Sequence, residues 1–134
     1  MSGMNLPELT CHSILVVDDD PDIRDSIAEI LTDEGYRVSG AQNGRDALSY
    51  LRAQKPPSLI LLDMTMPDMD GWRFRLEQQK TPAIATIPVV ILSARQDIRE
   101  AALALGAADY LRKPVEIDNL LEIADRYCRP VFLN

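Results

Sequence analysis

Short apolar runs alternate five times along the chain with segments whose apolar residues recur at helical spacing. In the first run, 13–17, four apolar residues stand side by side, and this is typical of a strand that is buried on both faces of a sheet. The pattern predicts four further strands, at 36–39, 58–62, 87–93 and within 109–114. Strands that do not alternate with polar residues indicate a sheet that is covered on both sides.

Each strand-like run is followed by a segment with one apolar face, which is the pattern of an amphipathic helix. The predicted inward positions are, in chain order, Ile23, Ile27, Ile30 and Leu31; Ala47, Leu48 and Leu51; Trp72, Leu76 and Gln79; Ile98, Ala101, Ala102 and Leu105; and Ile117, Leu120, Leu121 and Ala124. Gly35 and Gly106 follow two of these faces, where a helix C-terminal glycine is expected. The third face has only two apolar positions, and it leaves Phe74 outside the predicted buried stripe.

Five strand–helix units predict an α/β fold with a parallel sheet and helices on both of its faces. A chain of 134 residues has the size of one ordinary domain and is long enough to bury a core. We therefore expect a single folded domain over 13–130, with an N-terminal extension at 1–12 and a short C-terminal tail at 131–134.

The composition narrows the classes of partner. A formal net charge of -7 and the lack of a basic cluster argue against a surface for nucleic acid or for an anionic membrane. No apolar run approaches the roughly 20 residues of a membrane span, and the N-terminal segment lacks the features of a signal peptide. A cytoplasmic location is expected. Cys11, Cys128 and the single histidine, His12, have no metal-ligand spacing, which argues against most transition-metal sites and histidine-based triads.

Polar residues that carry chemistry stand where the predicted strands end. The first strand runs into Asp18, Asp19 and Asp20, the third into Asp63, the fourth into Ser93 and the fifth into Lys113. Ligands of open α/β sheets bind at the carboxyl ends of the strands, so these groups are expected to meet at one edge.

Carboxylates that meet in one place raise each other's pKa unless a cation holds them together. Oxygen ligands favour a hard ion such as Mg²⁺ over zinc or copper. A carboxylate beside Mg²⁺ and a lysine can attack phosphorus, since both cations offset charge on the transferring group, and a hydroxyl at Ser93 can bond a phosphoryl oxygen. The pattern therefore favours phosphoryl transfer onto an aspartate.

Four segments in this order resemble the signature segments of the response-regulator receiver domain: "ILVVDDDPDIR", "LILLDMTMPDMDG", "VVILSAR" and "GAADYLRKP". The resemblance covers roughly 13–128. It implies a flavodoxin-like, doubly wound (βα)5 fold with a five-stranded parallel sheet in the order 2-1-3-4-5.

The resemblance also implies a role for each matching residue. Asp63 corresponds to the phosphoryl acceptor, and Lys113 to the lysine that bonds the phosphoryl group. Mg²⁺, or Mn²⁺ as a substitute, would be held by Asp18, Asp19, Asp63 and the backbone carbonyl of Thr65. Ser93 and Tyr110 correspond to the switch pair, and the Lys113–Pro114 bond is expected to be cis.

By the same resemblance, a sensor histidine kinase or a histidine phosphotransfer protein would phosphorylate Asp63. The face built from the fourth helix, the fifth strand and the fifth helix would then control a downstream protein, with a phosphorylation-dependent homodimer as one form of output. Phosphoryl transfer and autodephosphorylation would be self-catalysed, so the chain is not expected to be an enzyme with an external substrate.

Two other functions remain open. Haloacid-dehalogenase-type phosphatases also use an aspartate after the first strand, but they would have a threonine shortly after their acidic pair, where this chain has Pro21 and Asp22. A pseudo-receiver would bind protein without phosphorylation, against which the complete acidic and basic set argues.

Several residues near the site also have a structural reading. Asp20 precedes a proline at a natural first helical position and is predicted to be an N-cap and not a third ligand. Asp68 and Asp70 are predicted to form turns. Arg73 and Arg75 depart from the family pattern, in which acidic or apolar residues are frequent.

Overall fold

The computed structural model describes residues 13–128, which form five strands and five helices in strict alternation. They are β1 (Ser13–Val17), α1 (Pro21–Asp33), β2 (Arg37–Ala41), α2 (Gly44–Ala53), β3 (Leu59–Asp63), α3 (Gly71–Gln79), β4 (Val89–Ser93), α4 (Ile98–Leu105), β5 (Asp109–Arg112) and α5 (Ile117–Tyr127). The expected extension at 1–12, the tail at 131–134 and the end of the expected domain at 130 lie outside the described residues. Within 13–128, no helix combines the length and the apolar character that crossing a bilayer requires.

All strand pairs are parallel, and the sheet has the order β2-β1-β3-β4-β5, which confirms the predicted fold class. The side chains of β1 alternate between two cores. Ile14 and Val16 face a cluster that contains α1 and α5, whereas Leu15 and Val17 face the cluster of α2, α3 and α4. Every residue of β3 and β4 is buried, as expected for central strands covered on both faces.

The helix termini follow the chemistry that the sequence predicts. Asp20 is the N-cap of α1 and accepts from the backbone N–H of Asp22 at 2.9 Å, which confirms the cap reading. Asp70 caps α3 in the same way, and Asp68 lies in the turn before it with a positive φ of 67°. Gly35 and Gly106 follow α1 and α4 with φ of 97° and 66°, a conformation that glycine adopts at little cost.

The predicted inward face of α3 is wrong. Trp72 and Leu76 are 36% and 54% exposed, whereas Phe74 is completely buried in the core of the α2–α4 side. The buried stripe instead consists of Gly71, Phe74, Arg75 and Gln78, at the spacing i, i+3, i+4 and i+7. A reading by hydrophobicity misses this stripe because two of its four side chains are polar.

Arg75 and Gln78 can face inward because backbone carbonyls satisfy them. Arg75 donates from Nε to the carbonyl of Leu105 at 3.0 Å and from Nη2 to that of Gly106 at 2.8 Å, at the C-terminal end of α4. Its Nη1 donates to Oε1 of Gln78 at 2.8 Å, and Nε2 of Gln78 donates to the carbonyls of Ile84 and Ile87. The pair thus joins α3 to the end of α4 and to the loop before β4, and these contacts account for an arginine at position 75.

Three smaller differences concern the ends of elements. Strand β2 begins at Arg37 and ends at Ala41, so Tyr36 precedes the strand and packs into the core beside α1. Ile117, predicted to face inward, is 54% exposed at the first position of α5, and Ile123 occupies the buried stripe with Leu120. The ends of helices are defined only to within one or two residues, so the burial of a first helical position is the one that periodicity predicts least well.

Candidate functional site

Three carboxylates meet at the carboxyl edge of the sheet. Asp18 directly follows β1 and Asp63 is the last residue of the neighbouring strand β3, so the parallel pairing brings the two side chains together. One carboxylate oxygen from each of Asp18, Asp19 and Asp63 lies within 4.8 Å of the others. Asp18 and Asp63 are buried and Asp19 is exposed, which leaves the group open to solvent on one side.

Lys113 brings a cation to the same group from the end of β5. Its Nζ lies 3.0 Å from Oδ2 of Asp18 and 3.3 Å from Oδ1 of Asp63, and only 19% of its side chain is exposed. The Lys113–Pro114 peptide bond is cis, as predicted. The structure therefore unites four of the residues that the sequence predicts as the site.

One oxygen of this group lacks a hydrogen bond. Oδ1 of Asp18 accepts from the backbone N–H of Asp20 at 3.0 Å, but the buried Oδ2 has only the ion pair with Lys113 and makes no hydrogen bond with any described residue. A buried carboxylate oxygen without a hydrogen bond is costly, and a cation that it could coordinate would satisfy it. Together with a set of ligands that contains only oxygen, this atom fits a hard divalent ion such as Mg²⁺.

The ionisation of Asp63 reflects this crowding. Burial, and secondly the charge of Asp18, raise the pKa of Asp63 to about 6, although Lys113 and the Thr65 N–H oppose the shift. For Lys113, burial works to lower the pKa, but the contacts with Asp18 and Asp63 outweigh it and raise the pKa above its ordinary value. A further cation beside the Asp63 carboxylate is therefore favourable, while the lysine stays charged.

Thr65 and Ser93 lie beside Asp63, and the structure gives each of them a backbone contact. The N–H of Thr65 donates to Oδ1 of Asp63 at 3.3 Å, and the Thr65 side chain is exposed. Ser93 is buried one residue past Leu92, the β4 neighbour of Asp63, and its Oγ accepts from the N–H of Arg95 at 3.0 Å. The carbonyl of Thr65 as a metal ligand and the hydroxyl of Ser93 as a phosphoryl partner stay predictions.

Tyr110 lies on β5, paired with Ile91 of β4, away from the carboxylates. Its ring is half-buried and packs against the core on the α2–α4 side. This position is consistent with a half-buried strand residue that packs at the edge of the core. It is also consistent with a ring that moves inward on phosphorylation, as the resemblance implies. Its switch role stays a prediction.

Sequence reasoning missed one residue of this region, Arg24. It lies on α1, and its Nη1 donates to the backbone carbonyl of Asp18 at 2.7 Å. A signal was present, because Arg24 is four residues after the N-cap Asp20 and residues at that spacing lie on the same side of a helix. The side chain is therefore within reach of the turn that carries the acidic pair.

The family model described as the response regulator receiver domain matches residues 14–125. Among solved structures, the chain is similar to the receiver domain of a signal transduction histidine kinase from Syntrophus aciditrophicus, with a TM-score of 0.80, 32% identity and coverage of 92% of this chain and 94% of that one. It is also similar to the chemotaxis protein CheY4 of Vibrio cholerae, with a TM-score of 0.78, 29% identity and coverage of 86% and 97%.

Among protein sequences, the chain is 43% identical to the "Uncharacterized 14.6 kDa protein in sodA1 3'region" of Leptolyngbya boryana, over 86% of this chain and 88% of that protein. The chain is 39% identical to the response regulator MprA of Mycolicibacterium vanbaalenii over 81% of the present chain. It is 37% identical to a probable cyclic di-GMP phosphodiesterase of Vibrio cholerae over 87% of the present chain. The matches span only 46% and 26% of these last two relatives.

Proposed function

This chain belongs to the response regulator receiver family, and on that premise we propose that it is a phosphorylation-dependent switch of two-component signalling in which Asp63 accepts the phosphoryl group. The observation that carries the proposal is the junction of Asp18, Asp19, Asp63 and Lys113 at one edge of the sheet. Phosphoryl transfer requires a nucleophile and positive charge beside the transferring group. Here the carboxylate can serve as the nucleophile, the lysine supplies one positive charge, and the acidic pair can hold a metal ion that supplies another.

The acidic pair and Asp63 would hold Mg²⁺, with Mn²⁺ as a substitute and the carbonyl of Thr65 as a further ligand. The bound ion would offset negative charge on the transferring phosphoryl group. Oδ2 of Asp18, whose one described partner is the ammonium of Lys113, and the raised pKa of Asp63 support this assignment, since both mark a place where another positive charge is favourable.

The residues of the chain have distinct tasks in the transfer. A carboxylate oxygen of Asp63 forms a bond to phosphorus while the bond from phosphorus to the donor's nitrogen or oxygen breaks, and the leaving group takes its proton from solvent. Lys113 lies close enough to Asp63 to bond the incoming phosphoryl oxygens. Ser93 would leave the Arg95 N–H and turn its hydroxyl to the phosphoryl group, and Tyr110 would move inward.

We propose that the donor is a sensor histidine kinase or a histidine phosphotransfer protein, and that the face of α4, β5 and α5 controls a downstream protein. A phosphorylation-dependent homodimer is one form that this control can take. The regulators among the relatives are longer than this chain, and so is the probable phosphodiesterase. We propose no hydrolysis of an external substrate by residues 13–128, which separates this function from that of a haloacid-dehalogenase-type phosphatase.

Incubation with acetyl phosphate and Mg²⁺ tests the proposal. We expect intact-mass analysis to show one added phosphoryl group, which disappears in Asp63→Asn and when EDTA is present. Asp68→Asn is the matched control, because Asp68 is an exposed turn residue on the same loop, and it should be labelled like the wild type. Wild-type protein that binds Mg²⁺ but takes up no label would indicate a pseudo-receiver, and steady turnover of an aryl phosphate would indicate a phosphatase.

Mg²⁺ itself should stabilise the fold, because a bound ion relieves the repulsion between the carboxylates of the site. At 10 mM Mg²⁺, about tenfold above a millimolar dissociation constant, linkage predicts a gain of about 1.4 kcal/mol, or several degrees in Tm. Asp19→Ala should weaken this dependence. Asp20→Ala should lower Tm through loss of the N-cap, but its Tm should still rise with Mg²⁺. If both variants lost the increase of Tm with Mg²⁺ to the same extent, the assignment of Asp19 to the metal and of Asp20 to the helix would be contradicted.

A further inference from the structure

The side chain of Arg24 makes a contact that the proposed function does not use. It is half-buried on the second turn of α1, and its Nη1 donates to the carbonyl oxygen of Asp18 at 2.7 Å. The bond is charge-assisted and at the short end of the range for such contacts. It therefore links a fixed positive charge on a helix to the backbone between the two acidic residues.

We propose that Arg24 is a positioning residue for the metal-binding turn, and that it sets the direction in which Asp19 presents its carboxylate. The inference rests on the proposed function, in that Mg²⁺ is the ion that the turn serves. A peptide group is planar, so the carbonyl of Asp18 and the Cα of Asp19 belong to one rigid unit. A bond that fixes this carbonyl also fixes the start of the Asp19 side chain.

Other contacts hold the same turn but do not restrain this carbonyl. The N–H of Asp18 donates to the carbonyl of Ala41 at 3.0 Å, and the N–H of Asp20 donates to Oδ1 of Asp18 at 3.0 Å. These bonds fix the peptide before Asp18, the side chain of Asp18 and the peptide that follows Asp19. The Arg24 bond supplies the restraint on the peptide that follows Asp18, which is the one that leads to the exposed carboxylate of Asp19.

Gly40 on β2 leaves room for the side chain of Arg24 to reach the carbonyl of Asp18. A Cβ at Gly40 would lie 3.0 Å from Cδ and 3.4 Å from Cγ and Nε of Arg24, so the aliphatic stem of the arginine runs directly over the glycine backbone. An alanine there would displace the stem slightly, without removing the positive charge from the side chain. Gly40 is thus a second position from which the contact can be disturbed, outside the acidic turn and outside α1.

Calorimetric titration of the full chain with Mg²⁺ tests the role of Arg24. We expect Arg24→Met, which retains the stem and removes the donor, to raise the Kd for Mg²⁺ about tenfold, the scale of effect found for residues that orient metal ligands. Gly40→Ala should weaken binding in the same direction by a smaller factor. Arg52→Met, at an exposed arginine of α2, should leave the Kd unchanged.

The test separates a positioning role from a merely structural one. At saturating Mg²⁺, Arg24→Met should recover the acetyl phosphate labelling rate of the wild type, because the defect lies in holding the ion. Wild-type Mg²⁺ affinity in both Arg24→Met and Gly40→Ala, whatever happens to Tm, would overturn the proposal, and so would a wild type that binds no Mg²⁺. Mg²⁺ binding that depends on Arg24 in a protein that takes up no label would sustain the role of Arg24 and reject phosphoryl transfer.

Discussion

Lys113→Met should lower the free energy of unfolding of the metal-free protein by about 2–4 kcal/mol at pH 7.5, because it leaves two buried carboxylates without their cation. Asp18 is completely buried, and Oδ2 of Asp18 has no other charged partner among the described residues. Methionine retains most of the aliphatic stem, so the loss reports the charge and not the packing. The raised pKa of Lys113 means that its stabilisation is fully present below pH 10.5 and is lost only as the pH rises through its folded value.

Urea unfolding in EDTA measures this loss, and Mg²⁺ should restore part of it because the ion takes over the neutralisation of Asp18 and Asp63. Lys80→Met is the matched control, since the side chain of Lys80 is 71% exposed and its ion pair with Glu77 is 3.8 Å long. The control should change stability by less than about 0.5 kcal/mol. A loss below 1 kcal/mol in Lys113→Met would show that the carboxylates do not depend on the lysine.

Asp63→Asn should stabilise the metal-free protein by about 1–3 kcal/mol at pH 8. The pKa of Asp63 is raised to about 6 in the folded state, chiefly by burial, from 3.8 for an unperturbed aspartate. The folded state therefore holds the proton more tightly than the unfolded chain does, and stability falls as the pH rises from about 4 through 6. One pKa unit corresponds to about 1.4 kcal/mol, and asparagine removes the ionisation altogether.

The signature of this effect is its pH dependence. In EDTA, the wild type and Asp63→Asn should have nearly the same free energy of unfolding at pH 4. Above pH 7, the free energy of unfolding of the wild type should be lower by the full difference. Asp20→Asn serves as the control, because asparagine is also a good N-cap and Asp20 is exposed, so its difference from wild type should be flat over this range. With Mg²⁺ added, the wild type should recover and the Asn variant should not. A difference between wild type and Asp63→Asn that is constant with pH would contradict the raised pKa.

The sequence was sufficient to predict the sheet and the edge at which the acidic group lies. Buried parallel strands have an unambiguous apolar pattern, and residues that directly follow such strands are brought together by topology alone. This is why Asp18, Asp63 and Lys113 could be assigned to one place although 95 residues separate the first from the last.

The misplaced stripe of α3 and the missed contact of Arg24 have a common physical cause, which is that a backbone carbonyl as partner leaves little trace in the side-chain pattern. The predicted stripe of α3 is wrong because Arg75 and Gln78 donate to backbone carbonyls. Arg75 donates to carbonyls at the C-terminal end of α4, and Gln78 donates to carbonyls in the loop before β4. Arg24 was overlooked for the same reason, since its partner is the carbonyl of Asp18. A polar side chain whose partner is main chain looks in the sequence like a surface residue, and only the fold shows where the acceptor lies.

The junction between α3 and α4 limits which residues can replace one another there. A guanidinium donates in three directions at once, to Leu105, to Gly106 and to Gln78, and the single ammonium of lysine cannot span those acceptors. Loss of Gln78 alone would leave Nη1 of Arg75 and the carbonyl of Ile87 without their Gln78 partner, whereas the carbonyl of Ile84 would keep its bond with the Ile87 N–H. We therefore expect positions 75 and 78 to be replaced together, because an apolar side chain at one of them would leave the polar side chain at the other without its partner.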